Sequence, residues 1–126
     1  MTRVLLIGID PVAVDGSDPD LPPGVTSDKI AAGVEATLAD MKARGWIGAF
    51  CAILPDDSAE TTIAAFLIES WDCIVIGGGI RVPPSNLMLF ERVVNAVRIG
   101  APSTPIAFNT SPDDTAEAAA KWLADA

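Results

Sequence analysis

The chain has 126 residues, half of them hydrophobic, and a formal net charge of -9 at pH 7. This length predicts one domain that buries roughly two-thirds of its unfolded surface. Eight Lys and Arg residues against seventeen Asp and Glu residues argue against nucleic acid as a partner. The chain contains no histidine and no tyrosine, which excludes imidazole-based triads and histidine metal sites.

The apolar runs are short. The run at residues 4–9 falls far below the roughly 20 residues that span a bilayer, so no membrane partner is expected. It leads directly into Asp10 and Pro11, without the regions of a signal peptide, and this favours a cytoplasmic location. Cys51 and Cys73 fall in predicted buried strands, where packing is favoured over redox chemistry.

Strand and helix patterns alternate along the chain. Residues 3–10 enclose the continuous apolar run at 4–9, typical of a strand covered on both faces. A helix follows at residues 26–44, with Thr26 or Ser27 as N-cap and Gly45 as its end. The later elements are strands at 46–54, 72–77 and 105–109 and helices at 58–70, 86–99 and 112–124. These four βα units predict a single α/β domain with a doubly wound parallel sheet of about four strands. The expected order is flavodoxin-like, 2-1-3-4, and the alternative is a Rossmann-type half.

The carboxyl ends of the strands should meet at one edge, where α/β proteins bind ligands. The third predicted strand leads into three glycines and Arg81, the only basic side chain just beyond a strand end. Pro-Pro-Ser-Asn at 83–86 then leads into the helix at 86–99. Glycine amides, a helix start and a guanidinium favour a small carboxylate or phosphate metabolite as ligand. Polar residues at the end of the last strand would bind the other polar groups of this ligand. The candidate ligand-binding residues are Gly77, Gly78, Gly79, Arg81, Ser85, Asn86, Asn109 and Thr110.

Asp10 ends the first predicted strand at the same edge. It is the candidate catalytic residue, as a general base, if the protein performs simple catalysis on the anion. Its alternative role is to bond the N–H groups of the loop that follows. Arg81 could instead form a structural bridge with Asp10, Asp56 or Asp57, and the three glycines could serve only a tight turn. A magnesium site built from the three aspartates is a further alternative, although no metal is assigned.

A short motif occurs twice. Pro-Asp-Asp-Ser-Ala-Glu at 55–60 and Pro-Asp-Asp-Thr-Ala-Glu at 112–117 each follow a strand. Asp57 with Glu60, and Asp114 with Glu117, fit the spacing of a capping box. Acids at these helix starts would oppose an anion, so the anion site is expected at another helix.

The connection at residues 11–24 is long for a βα loop, where about 2 to 6 residues is usual. A lid over the carboxyl edge and a tolerated surface insertion are both compatible with it.

The third long helix is apolar on more than the one face that would cover a sheet. A homodimer is therefore expected, although the broader face could also pack on neighbouring helices. The alternative to anion binding is a non-catalytic, receiver-like interaction module that pairs through this helix.

Three segments carry a resemblance that spans most of the chain. They are Leu-Pro-Pro-Gly at 21–24, Asp-Cys-Ile-Val-Ile-Gly-Gly-Gly-Ile-Arg at 72–81 and Phe-Asn-Thr-Ser-Pro-Asp-Asp-Thr-Ala-Glu at 108–117. Together they resemble a small microbial family of flavodoxin-like α/β proteins, and this resemblance implies the fold without an activity.

Three better-known branches of the flavodoxin-like group differ from this chain at their functional positions. Flavodoxins carry a hydroxyl-rich phosphate loop where this chain has residues 10–15, and receivers carry a phospho-accepting aspartate where it has Gly77. Cobalamin-binding domains require a histidine, which the sequence lacks. No cofactor is therefore assigned.

Overall fold

The computed structural model describes residues 1–14 and 24–123, which form four strands and five α-helices. The strands are β1 (Arg3–Ile9), β2 (Ile47–Ile53), β3 (Cys73–Ile76) and β4 (Ile106–Phe108). The α-helices are α1 (Ser27–Ala43), α2 (Ala59–Phe66), α3 (Gly78–Arg81), α4 (Leu87–Gly100) and α5 (Thr115–Ala120). Short 3-10 turns cover Pro11–Ala13, Pro84–Asn86 and Pro112–Asp114.

The strands form one parallel sheet in the order β2-β1-β3-β4, which confirms the predicted flavodoxin-like order. From β1 the chain first adds a strand on one side, β2, and then one on the other, β3. The carboxyl ends of β1 and β3 therefore flank the point at which the winding reverses, where ligands bind in open α/β sheets.

Each face of the sheet is covered by two helices. Leu5 and Ile7 of β1 pack in one apolar cluster with α2 and α4, and Val4 and Leu6 pack in another with α1 and α5. This alternation follows from the period of two along a strand. It explains why β1 is a continuous apolar run rather than an alternating one.

The two cysteines lie in the core, as predicted. Cys51 and Cys73 have no exposed surface, and they belong to the clusters on opposite faces of the sheet. Burial raises the pKa of Cys51 to about 12 and that of Cys73 to about 11. Both thiols therefore remain protonated at neutral pH and pack as small apolar groups.

The predicted ends of α1 are confirmed. Thr26 Oγ1 accepts a hydrogen bond from Lys29 N at 3.2 Å, and Gly45 ends the helix with φ at 82°. The second helix ends at Phe66 instead of the predicted residue 70, and Trp71 Nε1 donates to its last carbonyl at 2.9 Å. The buried indole thus finds its acceptor where the helix stops.

Two other helix predictions need correction. A 3-10 turn occupies residues 112–114, so the last α-helix begins at Thr115 and not at 112. The segment before the third long helix was expected to be a glycine loop, but it contains the one-turn helix α3 and a 3-10 turn.

Within the described residues no helix is long and apolar enough to cross a membrane. The lid prediction falls mainly on residues 15–23, outside the described part of the chain.

Candidate functional site

Asn109 holds together the two segments that the sequence places at the carboxyl edge. Its side-chain Oδ1 accepts a hydrogen bond from Gly78 N at 2.8 Å, across 31 residues of chain. Its backbone oxygen accepts one from Arg81 Nη2 at 2.6 Å. The side chain is buried, and its Nδ2 donates to Thr115 Oγ1 at 2.8 Å. The segment after β3 and the segment after β4 therefore form one hydrogen-bonded unit.

The glycines lie close to neighbouring backbone. A Cβ atom on Gly77 would stand 3.2 Å from Ile7 O, and one on Gly78 would stand 3.3 Å from Thr110 O. Gly77 N also donates to Ile7 O at 2.8 Å, and Gly78 N is bonded to Asn109. Two of the three amides predicted to cradle an anion are thus engaged inside the protein. Close packing, which resembles the tight-turn alternative, accounts for Gly77 and Gly78. A Cβ atom on Gly79 would meet nothing within 4 Å.

Arg81 is half-buried at this edge, with its guanidinium Cζ 5.5 Å from the centroid of the Phe108 ring. This ring meets Phe90 edge to face at 5.9 Å. Phe108 was not among the sequence candidates. The available signal was its position as an aromatic residue at the end of the last strand, next to Asn109.

Within the described residues, no carboxylate forms an ion pair with Arg81, so the predicted bridges to Asp10, Asp56 or Asp57 are not formed there. Its Nε is the one buried side-chain nitrogen or oxygen in that part of the chain without a hydrogen-bond partner. Buried polar atoms are nearly always paired, and an unpaired one costs about 1 to 3 kcal/mol. Among the described residues, Arg81 therefore has neither a carboxylate partner nor an acceptor for its buried Nε.

Asp10 makes local bonds that match its alternative role. Its Oδ1 accepts from Val12 N at 3.1 Å, and its backbone oxygen accepts from Ala13 N at 2.8 Å. The carboxylate therefore caps the turn Pro11–Ala13, as Asp commonly does at a proline turn. This contact supplies a structural reason for Asp10 that needs no catalysis.

Thr110 is bonded to Asp114. The Asp114 carboxylate accepts from Thr110 N at 3.0 Å, from Ser111 N at 3.2 Å and from the Thr110 hydroxyl. Burial, the largest single influence, acts to raise the pKa of Asp114, but these hydrogen bonds together lower it. Asp114 therefore bonds residues before the turn, and the predicted pairing with Glu117 is wrong.

The remaining two candidates lie in the 3-10 turn before α4. Asn86 Nδ2 donates to Gly79 O at 3.0 Å, which closes α3 against this turn. Ser85 is exposed in the same turn.

The first Pro-Asp-Asp motif also differs from its predicted capping box. Asp56, not Asp57, accepts from Ser58 N at 2.8 Å. Glu60 accepts from Arg92 Nε at 2.7 Å, and Arg92 Nη2 donates to Asp56 O at 2.9 Å. The hydrogen bond from Arg92 lowers the pKa of Glu60 to about 2. The motif therefore joins α2 to α4, through an arginine that is 32 residues away in the sequence.

A groove of about 520 Å³ lies between α2 and α4, away from Arg81. Ile68, Met88 and Ile99, at its border, are 87%, 68% and 77% exposed. This surface fits the expectation that the helix at 86–99 is apolar on more than its core face.

No group of three His, Cys, Asp or Glu residues in the described ranges could hold a metal ion. The magnesium alternative therefore gains no support from the residues in view. Comparisons with protein-family models, with curated proteins and with solved structures found no match to this chain. The geometry of the chain itself is therefore the basis for inferring its function.

Proposed function

We propose that the protein binds a small anionic molecule, a carboxylate or a phosphate, at the carboxyl edge of the sheet, with Arg81 as its charged contact. The supporting observation is that the guanidinium is fixed at this edge without a carboxylate partner among the described residues, and with a buried Nε that lacks an acceptor. A bound anion would compensate the charge and, with a small shift of the side chain, supply an acceptor.

The surroundings of Arg81 favour an anion with an apolar part. The Phe108 ring, next to the guanidinium, is 42% exposed. Val82, which follows Arg81 in the sequence, is 61% exposed. A ligand that contacts Arg81 could lay a ring or short chain against them and remove apolar surface from water.

Binding is favoured over catalysis, because the other polar candidates have structural partners. Asp10 caps a turn, the Asn109 side chain bonds Gly78 and Thr115, and Thr110 bonds Asp114. Proton transfer by Asp10 would require it to leave its bond to the Val12 amide. The proposed activity is therefore recognition of the anion.

A thermal-shift screen tests the proposal with inorganic phosphate, pyrophosphate, dicarboxylates, aromatic carboxylates and mononucleotides. A ligand at about 100 times its Kd should stabilise the folded state by about 2.7 kcal/mol. The shift should disappear in Arg81→Gln. Arg44→Gln is the matched control, since Arg44 directly follows α1, before β2 begins, and its guanidinium bonds Asp40 and lies over the Trp46 ring. The absence of any shift in the parent protein, or an equal shift in Arg81→Gln, would overturn the proposal.

A further inference from the structure

Helix α4 has a second face, turned away from the one that packs on the sheet and bordering α2. The buried face contains Leu89, Val93 and Val97. The outer face of α4, defined by Met88, Arg92, Asn95 and Ile99, has intervals of four, three and four residues, which is the spacing of residues that meet a partner helix. Its two apolar members, Met88 and Ile99, stand at opposite ends and are both largely exposed.

The neighbouring helix α2 widens this apolar surface. Ala64 of α2, together with Leu67 and Ile68 just beyond its end, lines the same groove as the outer face of α4. Ile68 has 87% of its surface exposed and lines the groove together with Ile99 and Gly100. Exposed apolar side chains that form a contiguous patch mark an interaction surface.

Two opposite charges flank the outer face of α4. Glu91 and Arg98 are seven residues apart, so they lie on the same flank of the helix and about 10 Å apart along its axis. Both residues are exposed, and in the described part of the chain neither side chain forms an ion pair. This separation is too long for them to pair with each other.

We propose that α4 pairs antiparallel with α4 of a second copy of this chain about a twofold axis near Val94. The midpoint of Met88 and Ile99 falls just before Val94, and the midpoint of Glu91 and Arg98 falls just after it. Such an axis places Met88 against Ile99 of the second copy, and Glu91 opposite its Arg98. Each contact occurs twice, as a twofold interface requires. This inference is independent of the anion site.

The centre of the outer face is compatible with burial in a dimer. Arg92 lies there, but Glu60 pairs with it and Asp56 O accepts a further hydrogen bond at 2.9 Å. Covering an arginine that already has its partners avoids the large cost of an unpaired buried charge. At the ends, the flexible side chain of Met88 suits an irregular pocket such as the one between Ile68 and Ile99.

Charge reversal gives a specific test by sedimentation equilibrium. Glu91→Arg sets arginine against arginine in its homodimer, and Arg98→Glu sets glutamate against glutamate. Each variant should dimerise about tenfold more weakly than the parent, or worse, because two exposed pairs change from attraction to repulsion. An equimolar mixture of the two variants restores both opposite-charge pairs, so it should form a heterodimer with nearly the parent affinity. Glu35→Arg makes the same charge change at an exposed position on α1 and should leave dimerisation unchanged.

A parent protein that remains monomeric at millimolar concentration would overturn the inference. A dimer that responds equally to Glu91→Arg and Glu35→Arg would also overturn it, since the copies would then meet through another surface. Failure of the mixed variants to associate better than either alone would rule out the antiparallel register. None of these outcomes depends on an anion, so they leave the proposal for Arg81 unaffected.

Discussion

Asn109 binds Gly78 through its side chain and Arg81 through its backbone oxygen, at 2.8 and 2.6 Å. One residue at the end of β4 thus fixes both the start of α3 and the arginine that ends it. The orientation of the proposed anion contact is therefore set by a buried residue from another strand, with Thr115 as a further support.

Replacement of Asn109 by alanine should destabilise the protein. The buried side chain is 2% exposed and bonds both Gly78 N and Thr115 Oγ1, so its loss leaves polar groups unpaired in the interior. We expect a loss of roughly 1 to 3 kcal/mol in the free energy of unfolding, measured by urea denaturation. Asn86→Ala removes one less buried bond, to Gly79 O, and should cost less. Equal losses in the two variants would contradict the role given to Asn109.

Alanine at Gly77 and at Gly79 should have opposite effects. At Gly77 the new Cβ would stand 3.2 Å from Ile7 O in the central strand β1, so we expect destabilisation by about 1 kcal/mol or more. At Gly79, inside α3, it would meet nothing within 4 Å, and loss of backbone freedom in the unfolded chain should stabilise by up to about 1 kcal/mol. Thermal denaturation measures both. A well-folded Gly79→Ala variant that no longer binds the anion would instead show that the glycine backbone contacts the ligand.

The two cysteines should react only when the protein unfolds. Both thiols lack exposed surface, and burial raises the pKa of each well above neutral, so the reactive thiolate is scarce. A chromogenic disulfide reagent should label less than one thiol per chain in buffer within minutes, and both thiols in guanidinium chloride. Rapid labelling of the folded protein would argue that Cys51 or Cys73 has a role beyond packing.

The Glu60 to Arg92 pair should make stability depend on acid pH. The hydrogen bond from Arg92 lowers the pKa of Glu60 from 4.5 to about 2 in the folded state. The contribution of the ionised Glu60 to the free energy of unfolding is therefore present above pH 4.5 and is lost as the pH falls toward 2. Glu60→Gln should reduce stability at pH 7 and flatten the decline between these values. Urea denaturation at several pH values compares it with Glu35→Gln, an exposed α1 variant expected to keep the parent profile.

The fold could be predicted because its signals are local and repeated. The apolar run of β1, the cap at Thr26 and the glycine at 45 each specify one feature within a few residues. Alternation of strands and helices then restricts the topology to few solutions, and the order 2-1-3-4 was among them. The error at the end of α2 has a physical source, since Trp71 caps the helix from outside the periodic segment.

The site was less predictable because its bonds join distant residues. Either aspartate of a Pro-Asp-Asp motif can cap a helix, and Arg92, far along the chain, determines how Glu60 is used. The sequence of the three glycines favoured an anion-binding loop, whereas in the structure the Gly78 amide donates its hydrogen bond to the Asn109 side chain. The position of Arg81 at the carboxyl edge followed from the fold, but its contact with Phe108 did not.

The most direct measurement is a calorimetric titration with the anion that gives the largest thermal shift, carried out on the parent protein, Arg81→Gln and Arg44→Gln. Loss of a charge-assisted hydrogen bond worth about 1.5 to 3 kcal/mol predicts at least about tenfold weaker binding by Arg81→Gln. Arg44→Gln should bind as the parent does. Equal affinity of all three proteins for the anion would contradict the assignment of Arg81 as its charged contact.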